Sequence, residues 1–417
     1  MADEVLAVPT AQLPAHAKLI KSPLGVALIL APWNFPCSMI LNPLVNALAA
    51  GCGAVVKPSE VSSACSRALG ALLPRYVDAR CVAVVQGGVP ETTALLRERF
   101  DRIFYTGNGA VGSLVMKAAA EHLTPVTLEL GGKSPVIVAA DANLDVAASR
   151  IIASKGFNAG QVCLAPDYVL VDARVADAFA AKLAAAARRM YGADQARSPD
   201  YGRIINGRHF ARLAGLLASA GPAAAVSYAG GTPDAAANFM PLTIVRDPPA
   251  DCALMTEEIF GPLLPVLAVP DVAAAIAHVR SRPKPLGLYV FSEDAATAAH
   301  VLASTESGGA CVNECILHIT VGPFGGVGAS GMGAYHGRWG FDTFSHRRSV
   351  FNSPTWPYDA HALLYPPYSA ANLARLETLV GILPRTLPSL SWKDAALAAA
   401  LALAAALAWR LKAHGAL

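Results

Sequence analysis

The sequence predicts an α/β fold, with a doubly wound parallel sheet followed by a second α/β domain. Two observations carry the prediction. From Leu24 onward, short apolar runs alternate with segments of helical period. At Tyr105-Thr106-Gly107-Asn108-Gly109-Ala110-Val111-Gly112, a glycine-rich turn joins one such run to a helical one, as in sheets that bind nucleotides.

Gly25 to Leu30 reads as the first strand, and Ala31 to Pro36 as the turn that follows. Leu44, Ala47 and Leu48 share a helix face and lead to a second strand at Ala54-Val55-Val56. A helix around Ser66 to Tyr76 precedes a strand from Cys81 to Val85. Thr92 to Arg99 reads as helix and Arg102 to Tyr105 as strand, while Val111, Leu114, Val115 and Ala118 mark the next helix. Beyond Glu129, strands are expected at Ser134 to Val138 and Tyr168 to Val171, with helices from Leu144 to Lys155 and Ala173 to Met190. Pro323 to Gly333 reads as a structured glycine-rich turn region. The domains expected are 1–130, 131–322, a bridging segment 323–370 and a tail 371–417.

A chain of 417 residues has room for two or three domains. Its 33 basic and 30 acidic residues leave +3, too balanced to imply a nucleic-acid partner. Alanine supplies much of the 54% hydrophobic content. Met1-Ala2-Asp3-Glu4 lacks the features of a secretory signal. The eight cysteines are dispersed, with no CxxC pair and no set of zinc ligands, which suits reduced thiols in the cytosol.

Chemistry concentrates in two segments. Glu129, within Leu128-Glu129-Leu130-Gly131-Gly132-Lys133, reads as a glutamate set in a glycine turn, and Cys163 follows Gly160-Gln161-Val162 34 residues later. A carboxylate and a thiol can pass an acyl group through a thioester to water. Taken singly, Glu129 could instead pair with Lys133, and Cys163 could be a buried structural thiol. The glycine-rich turn alone fits a structural role as well as a phosphate cradle.

The LELGGK and GQxC motifs, in this order, resemble the aldehyde dehydrogenases that use nicotinamide cofactors. Ala31-Pro32-Trp33-Asn34-Phe35-Pro36 and Glu257-Glu258-Ile259-Phe260-Gly261-Pro262 match two further motifs of that family. The run from Pro323 to Gly337, extended by Phe341 to His346, resembles its class 3 branch, which includes fatty aldehyde and coniferyl aldehyde dehydrogenases. The resemblance spans about Pro23 to about Pro367.

It implies that Cys163 is the nucleophile and Glu129 the base that activates water. Asn34 and the Cys163 N–H would hold the oxyanion; otherwise Asn34 would be a turn cap. Gly107, Asn108, Gly109, Ala110, Val111 and Gly112 would form the cofactor loop. Lys57 and Glu60 would reach the adenosine ribose, where a carboxylate disfavours a 2′-phosphate; otherwise they are a solvated pair. Glu258 would hold the nicotinamide ribose beside Phe260, or else belong to a surface acidic pair. The implied cofactor is NAD, with NADP as the alternative, and no metal is implied. His336 and His346 read as structural.

Two departures stand out. Only 31 residues precede Pro32, where relatives carry further helices that cover the cofactor domain, so exposed apolar surface and weaker NAD binding are expected. The segment from His318 to Phe324, near the aldehyde entrance in relatives, is a few residues short.

Ala395 to Trp409 holds fifteen uncharged residues, flanked by Lys393-Asp394 and by Arg410 and Lys412. As a helix it would be roughly 22 Å long against a ~30 Å hydrocarbon core, with Trp392 and Trp409 at the interfaces. It reads as a membrane anchor, as in fatty aldehyde dehydrogenases, or else as a helix packed on the protein.

The function expected is NAD(P)-dependent oxidation of an apolar aldehyde, medium- or long-chain or aromatic, to its carboxylate. The expected protein is cytoplasmic, a homodimer by resemblance, and held at the cytosolic face of a membrane by its tail. The alternatives are a non-catalytic membrane-associated protein of the same fold and a CoA-acylating dehydrogenase.

Overall fold

A computed structural model describes residues 3–9, 12, 15–222, 224–355 and 362–382. Its strands begin with β1 (Glu4–Leu6), β2 (His16–Pro23), β3 (Val26–Leu30), β4 (Gly53–Lys57), β5 (Val82–Val84), β6 (Arg102–Gly107) and β7 (Val126–Leu130). They continue with β8 (Pro135–Val138), β9 (Tyr168–Asp172), β10 (Ala225–Ala229), β11 (Thr243–Arg246) and β12 (Leu263–Val269). The last are β13 (Gly287–Phe291), β14 (Gly309–Val312), β15 (Gly331–Met332) and β16 (Ser345–Asn352). Helices α1 (Ser38–Ala49), α2 (Ser63–Tyr76), α3 (Val89–Leu95) and α4 (Gly109–Glu121) alternate with the early strands. Further along come α5 (Leu144–Gly156), α6 (Ala176–Tyr191) and α7 (Gly207–Ser219).

Two compact units result, one from residues 23–344 and one from 1–22 with 345–417. In the smaller unit β2 lies between β1 and β16, and ion pairs Lys18–Asp3 and Lys21–Glu4 tie β2 to the start of β1. The larger unit holds a six-stranded and a seven-stranded sheet.

The six-stranded sheet has the order β15-β7-β6-β3-β4-β5, parallel except at β15. Its apolar runs are buried on both faces, as parallel strands covered by helices require. One core cluster holds Ile29, Val56 and Phe104 with Leu44 of α1, and another holds Leu28 and Tyr105 with Val115 of α4. From β3 the chain steps outward to β4 and β5, then crosses back to β6 and β7 on the other side of β3, so the strand order reverses there. Ligands bind at the carboxyl ends of strands at such a reversal, where the Ala31–Pro36 turn and the glycine-rich turn lie side by side.

The seven-stranded sheet, β10-β11-β12-β9-β8-β13-β14, is parallel except for β10 with β11. The two sheets part at the turn between Leu130 and Pro135.

Three readings need correction. Glu129 is not in the glycine turn but inside β7, opposite Gly331, because β6 and β15 extend the ladder to the end of that strand. The helix expected at Thr92–Arg99 begins at Val89 and ends at Leu95; Pro90 suits a first turn, and Glu91 closes it by accepting the Gly88 N–H at 2.7 Å. The helix expected from Ala173 begins at Ala176, because the Asp172 carboxylate accepts the Arg174 N–H and holds a turn.

Among the described residues, no helix is long and apolar enough to cross a membrane. The tail helix expected at 395–409 lies outside them. Leu41 and Val45 on α1, Leu72 on α2 and Leu114 on α4 stand exposed.

Gly331 has φ +131°, and a Cβ there would sit 1.9 Å from the Leu128 carbonyl oxygen. Gly331→Ala should therefore cost about 3 kcal/mol or more, read as a lowered denaturation midpoint. An unchanged midpoint would show that β15 can leave β7 freely.

Candidate active site

Residues Asn158, Ala159 and Gly160 all have positive φ, at 49°, 50° and 72°. For the two non-glycines such backbone costs about 1–3 kcal/mol each and persists only where the surroundings impose it. Gln161 imposes it here. Its Nε2 donates to the Asn158 and Arg203 carbonyls at 3.0 Å each, and its Oε1 accepts the Ile205 N–H at 2.9 Å. The Asn158 amide donates to the Asn34 carbonyl at 2.9 Å, and the Asn34 amide donates to the Gln161 carbonyl at 3.1 Å. Asn34 therefore does not cap its own turn. It braces the cysteine loop from 127 residues away and keeps a second amide hydrogen to give.

Cys163 faces Glu258 and Glu129 in this loop. Burial, and after it those two carboxyls, push its thiol up to about 12, while the N–H groups of Cys163 and Leu164 act the other way. Glu129 is 2% exposed, and neither carboxyl oxygen has a hydrogen-bond partner among the described residues. Burial raises its carboxyl well above the usual range. Pairing with Lys133 does not occur, because the Lys133 ammonium is bound to Asp167 and to the Leu254 and Glu257 carbonyls. Tyr335, 1% exposed, faces both Glu129 and Cys163.

Glu258 arrives from the other side. Its Oε1 accepts the Gly132 N–H at 3.1 Å, and a Cβ on Gly131 would lie 2.1 Å from the same oxygen. Only glycine allows that approach. Burial raises the Glu258 carboxyl to about 7, and the Gly132 N–H pulls it down. Arg212 of α7 donates to the Glu258 and Ile259 carbonyls. Phe260, at φ 46°, meets Trp33 edge-on at 5.3 Å. Glu258 is thus half-buried in the cavity wall rather than part of a surface acidic pair.

A single cavity of about 1240 Å³ joins these groups to the turns of the six-stranded sheet. Lys57, nearly buried, donates to the Pro58 carbonyl at 3.1 Å and to Glu60 at 3.4 Å. Asn108 caps α4 by accepting the Val111 N–H at 3.0 Å. Gly107, Asn108 and Val111 line the cavity. Gly109 and Ala110 are the first residues of α4, with open space beside Gly109. Gly112 serves packing instead, since a Cβ there would press on Leu130. Thr92 of α3, Leu96 just after it, and Leu114 and Ala118 of α4 line the cavity beyond.

A dinucleotide fits this cradle: helix-end amides for phosphate, a lysine and a carboxyl for one ribose, and a second carboxyl for the other. Sequence reasoning missed the apolar slot between α3 and α4 and the roles of Asp167 and Arg212. The slot could have been found from helical spacing, since Leu114 and Ala118 lie one turn apart. Nothing in the local sequence signals the other two.

The aldehyde dehydrogenase family model matches residues 2–350. A rat protein, "Aldehyde dehydrogenase, dimeric NADP-preferring", is 49% identical over 350 residues, which cover 84% of this chain and 76% of the relative. Mouse "Aldehyde dehydrogenase family 3 member A2" is 49% identical over 354 residues, 84% of this chain and 72% of the relative. A structure of Staphylococcus aureus AldH in a substrate-bound state superimposes with a TM-score of 0.86 at 40% identity, covering 90% of this chain and 81% of that one.

With its thiol near 12, Cys163 is protonated at neutral pH in the cofactor-free protein. Its alkylation by iodoacetamide, followed by mass spectrometry, should be slow and rise about tenfold per pH unit between roughly 7 and 9. A rate that levels off near neutrality would mean a thiolate already formed.

Proposed function

The chain belongs to the aldehyde dehydrogenase family, whose NAD(P)-dependent oxidation of aldehydes is its activity, and from that premise we propose how its own residues carry the reaction. One observation supports the assignment above the rest. A thiol, an unpartnered carboxyl and an amide donor from three distant segments line one cavity.

The Cys163 S–H bond breaks with its proton passing to solvent, and the sulfur attacks the aldehyde carbon and forms the C–S bond. Asn34 Nδ2 and the Cys163 N–H hold the resulting oxyanion, each such donor contributing about 3–4 kcal/mol to the transition state. Collapse to the thioester releases hydride, for which a nicotinamide held beside Glu258 and Phe260 would be the acceptor. Glu129 then takes a proton from water, the hydroxide adds to the thioester, the C–S bond breaks, and the carboxylate leaves. Buried at the end of β7, Glu129 favours water as the acyl acceptor over CoA.

The six-stranded sheet serves as the cofactor domain. Lys57 and Glu60 meet the adenosine ribose, Gly109 and Ala110 give their N–H groups to phosphate, and Glu258 holds the nicotinamide ribose beside Phe260. The Glu60 carboxylate favours NAD, with NADP as a second coenzyme; the rat relative's name records the opposite preference for that protein. Phe35 stacks on Phe157 at 5.7 Å, and with Met39, Ile319 and Phe324 they make the wall beyond Cys163 apolar. The substrate is accordingly a medium- or long-chain or aromatic aldehyde. The active form is a homodimer.

Reduced-nicotinamide formation across aldehydes of increasing chain length tests the reading, and turnover per KM should rise with apolar length. Cys163→Ala should abolish turnover with NAD binding nearly intact. Glu129→Gln should give one burst of product and an acyl adduct on Cys163 by mass spectrometry. A Glu129→Gln variant with the native steady-state rate would remove Glu129 from the mechanism.

Residues 395–409 are proposed as an anchor to the cytosolic face of a membrane, on the strength of their uncharged composition. Full-length protein should then sediment with membranes and resist high salt, since apolar burial is insensitive to screening. Removing residues after Ser391 should release active protein. Sedimentation unchanged by that truncation would end the proposal.

A further inference from the structure

Gln161 and Asn34 fix the cysteine loop on the side that leads into Cys163. On the far side the chain makes a turn. The Ala165 N–H donates to the Val162 carbonyl at 3.0 Å, which puts Cys163 and Leu164 at the two central positions. The peptide that joins Leu164 to Ala165 is therefore held at its N–H end from within the loop. Its other end, the Leu164 carbonyl, is held from outside. The Tyr289 hydroxyl donates to it at 2.6 Å, and both residues are buried.

The strand that carries Tyr289 is built for this reach. Tyr289 lies in β13 between Val136 of β8 and Cys311 of β14, so ladders on both sides fix its backbone. Gly287, two residues earlier, faces the same way. A Cβ there would lie 2.7 Å from the Tyr289 hydroxyl oxygen and 3.0 Å from the Leu164 side chain. The glycine leaves the space in which the end of the phenol meets the loop.

We infer that Tyr289 is a positioning residue for the oxidation: by holding the Leu164 carbonyl, its hydroxyl keeps the turn set so that the Cys163 and Leu164 N–H groups face the sulfur and the oxyanion. Without the hydroxyl a buried carbonyl is left unsatisfied, which is costly. The turn then rotates to relieve it and carries those N–H groups out of line. The inference rests on Cys163 as the nucleophile.

Tyr289→Phe in the full-length protein removes the hydroxyl and keeps the ring. Rapid mixing with saturating NAD⁺ and aldehyde should show the first turnover of reduced nicotinamide slowed about tenfold, with aldehyde KM and NAD⁺ affinity as in the native protein. Iodoacetamide should alkylate Cys163 about threefold more slowly between pH ~7 and ~9, because the N–H groups no longer favour the thiolate. A native first-turnover rate overturns the inference even where the denaturation midpoint falls, since the hydroxyl then serves the fold alone. A raised aldehyde KM with the native rate at saturation also overturns it. That result assigns the hydroxyl to Ile316, whose N–H faces the same oxygen and which lines the cavity. Gly287→Ala attacks the same bond from the strand side, so the test stands if Tyr289→Phe fails to fold. It should slow the first turnover likewise, and a native rate there counts against the inference in the same way. Cys163→Ala separates the two readings. If it still oxidises aldehyde, the nucleophile itself is wrong. If it is inert while Tyr289→Phe acylates as native, only the role of Tyr289 fails.

Discussion

The site is hung from the buried ion pair between Lys133 and Asp167. Lys133 follows the glycine turn that separates the two sheets, and Asp167 immediately precedes β9. Their contact, with the Lys133 bonds to the Leu254 and Glu257 carbonyls, draws three segments together beneath the cavity. Desolvating two charges is expensive, and only close geometry with every remaining hydrogen satisfied offsets it. Here that condition is met. The same geometry sets Glu258 over Gly132.

Burial then decides the resting state of the chemistry. Glu129 and Cys163 share a cavity where neither finds a counter-ion, and burial pushes both towards their neutral forms. The neutral form of either group is the less reactive one. Catalysis needs the ionised forms, and the Cys163 and Leu164 N–H groups are already aimed to favour the thiolate once the balance shifts. The strain stored at Asn158 and Ala159 serves the same end, because it turns the backbone so that those N–H groups face the sulfur.

Much of this was legible in the sequence, and the reason is local. The strand–helix alternation showed because buried parallel strands are short and wholly apolar. The order reversal beside β3 follows from topology, and the cofactor turns fall there as such sheets require. Motif residues such as Asn34 and Gln161 could be named because each lies inside a short contiguous motif of its own, Ala31–Pro36 and Gly160–Cys163. The pairing of Lys133 with Asp167 could not, since the partners lie 34 residues apart and a lysine beside a glutamate suggests the wrong partner. The placement of Glu129 in a turn failed for a related reason. The ladder that keeps β7 straight to Leu130 includes β15, a two-residue strand from 202 residues later that no periodicity reveals.

That late strand ties the glycine-rich run at Gly328–Met332 to catalysis. Gly331 pairs with Glu129 itself, and its missing side chain lets the two backbones meet. β7 would otherwise end as an open edge, free to twist the carboxyl towards solvent. Exposed to water, that carboxyl would ionise at the ordinary value and lose the basicity that burial confers. The glycines at 325 and 326, where added side chains would strike the Gly333 and Ser330 carbonyls, fold the run tightly enough to deliver β15 to its place. A stretch that shows no titratable group of its own thereby controls the proton affinity of the base, through the backbone alone.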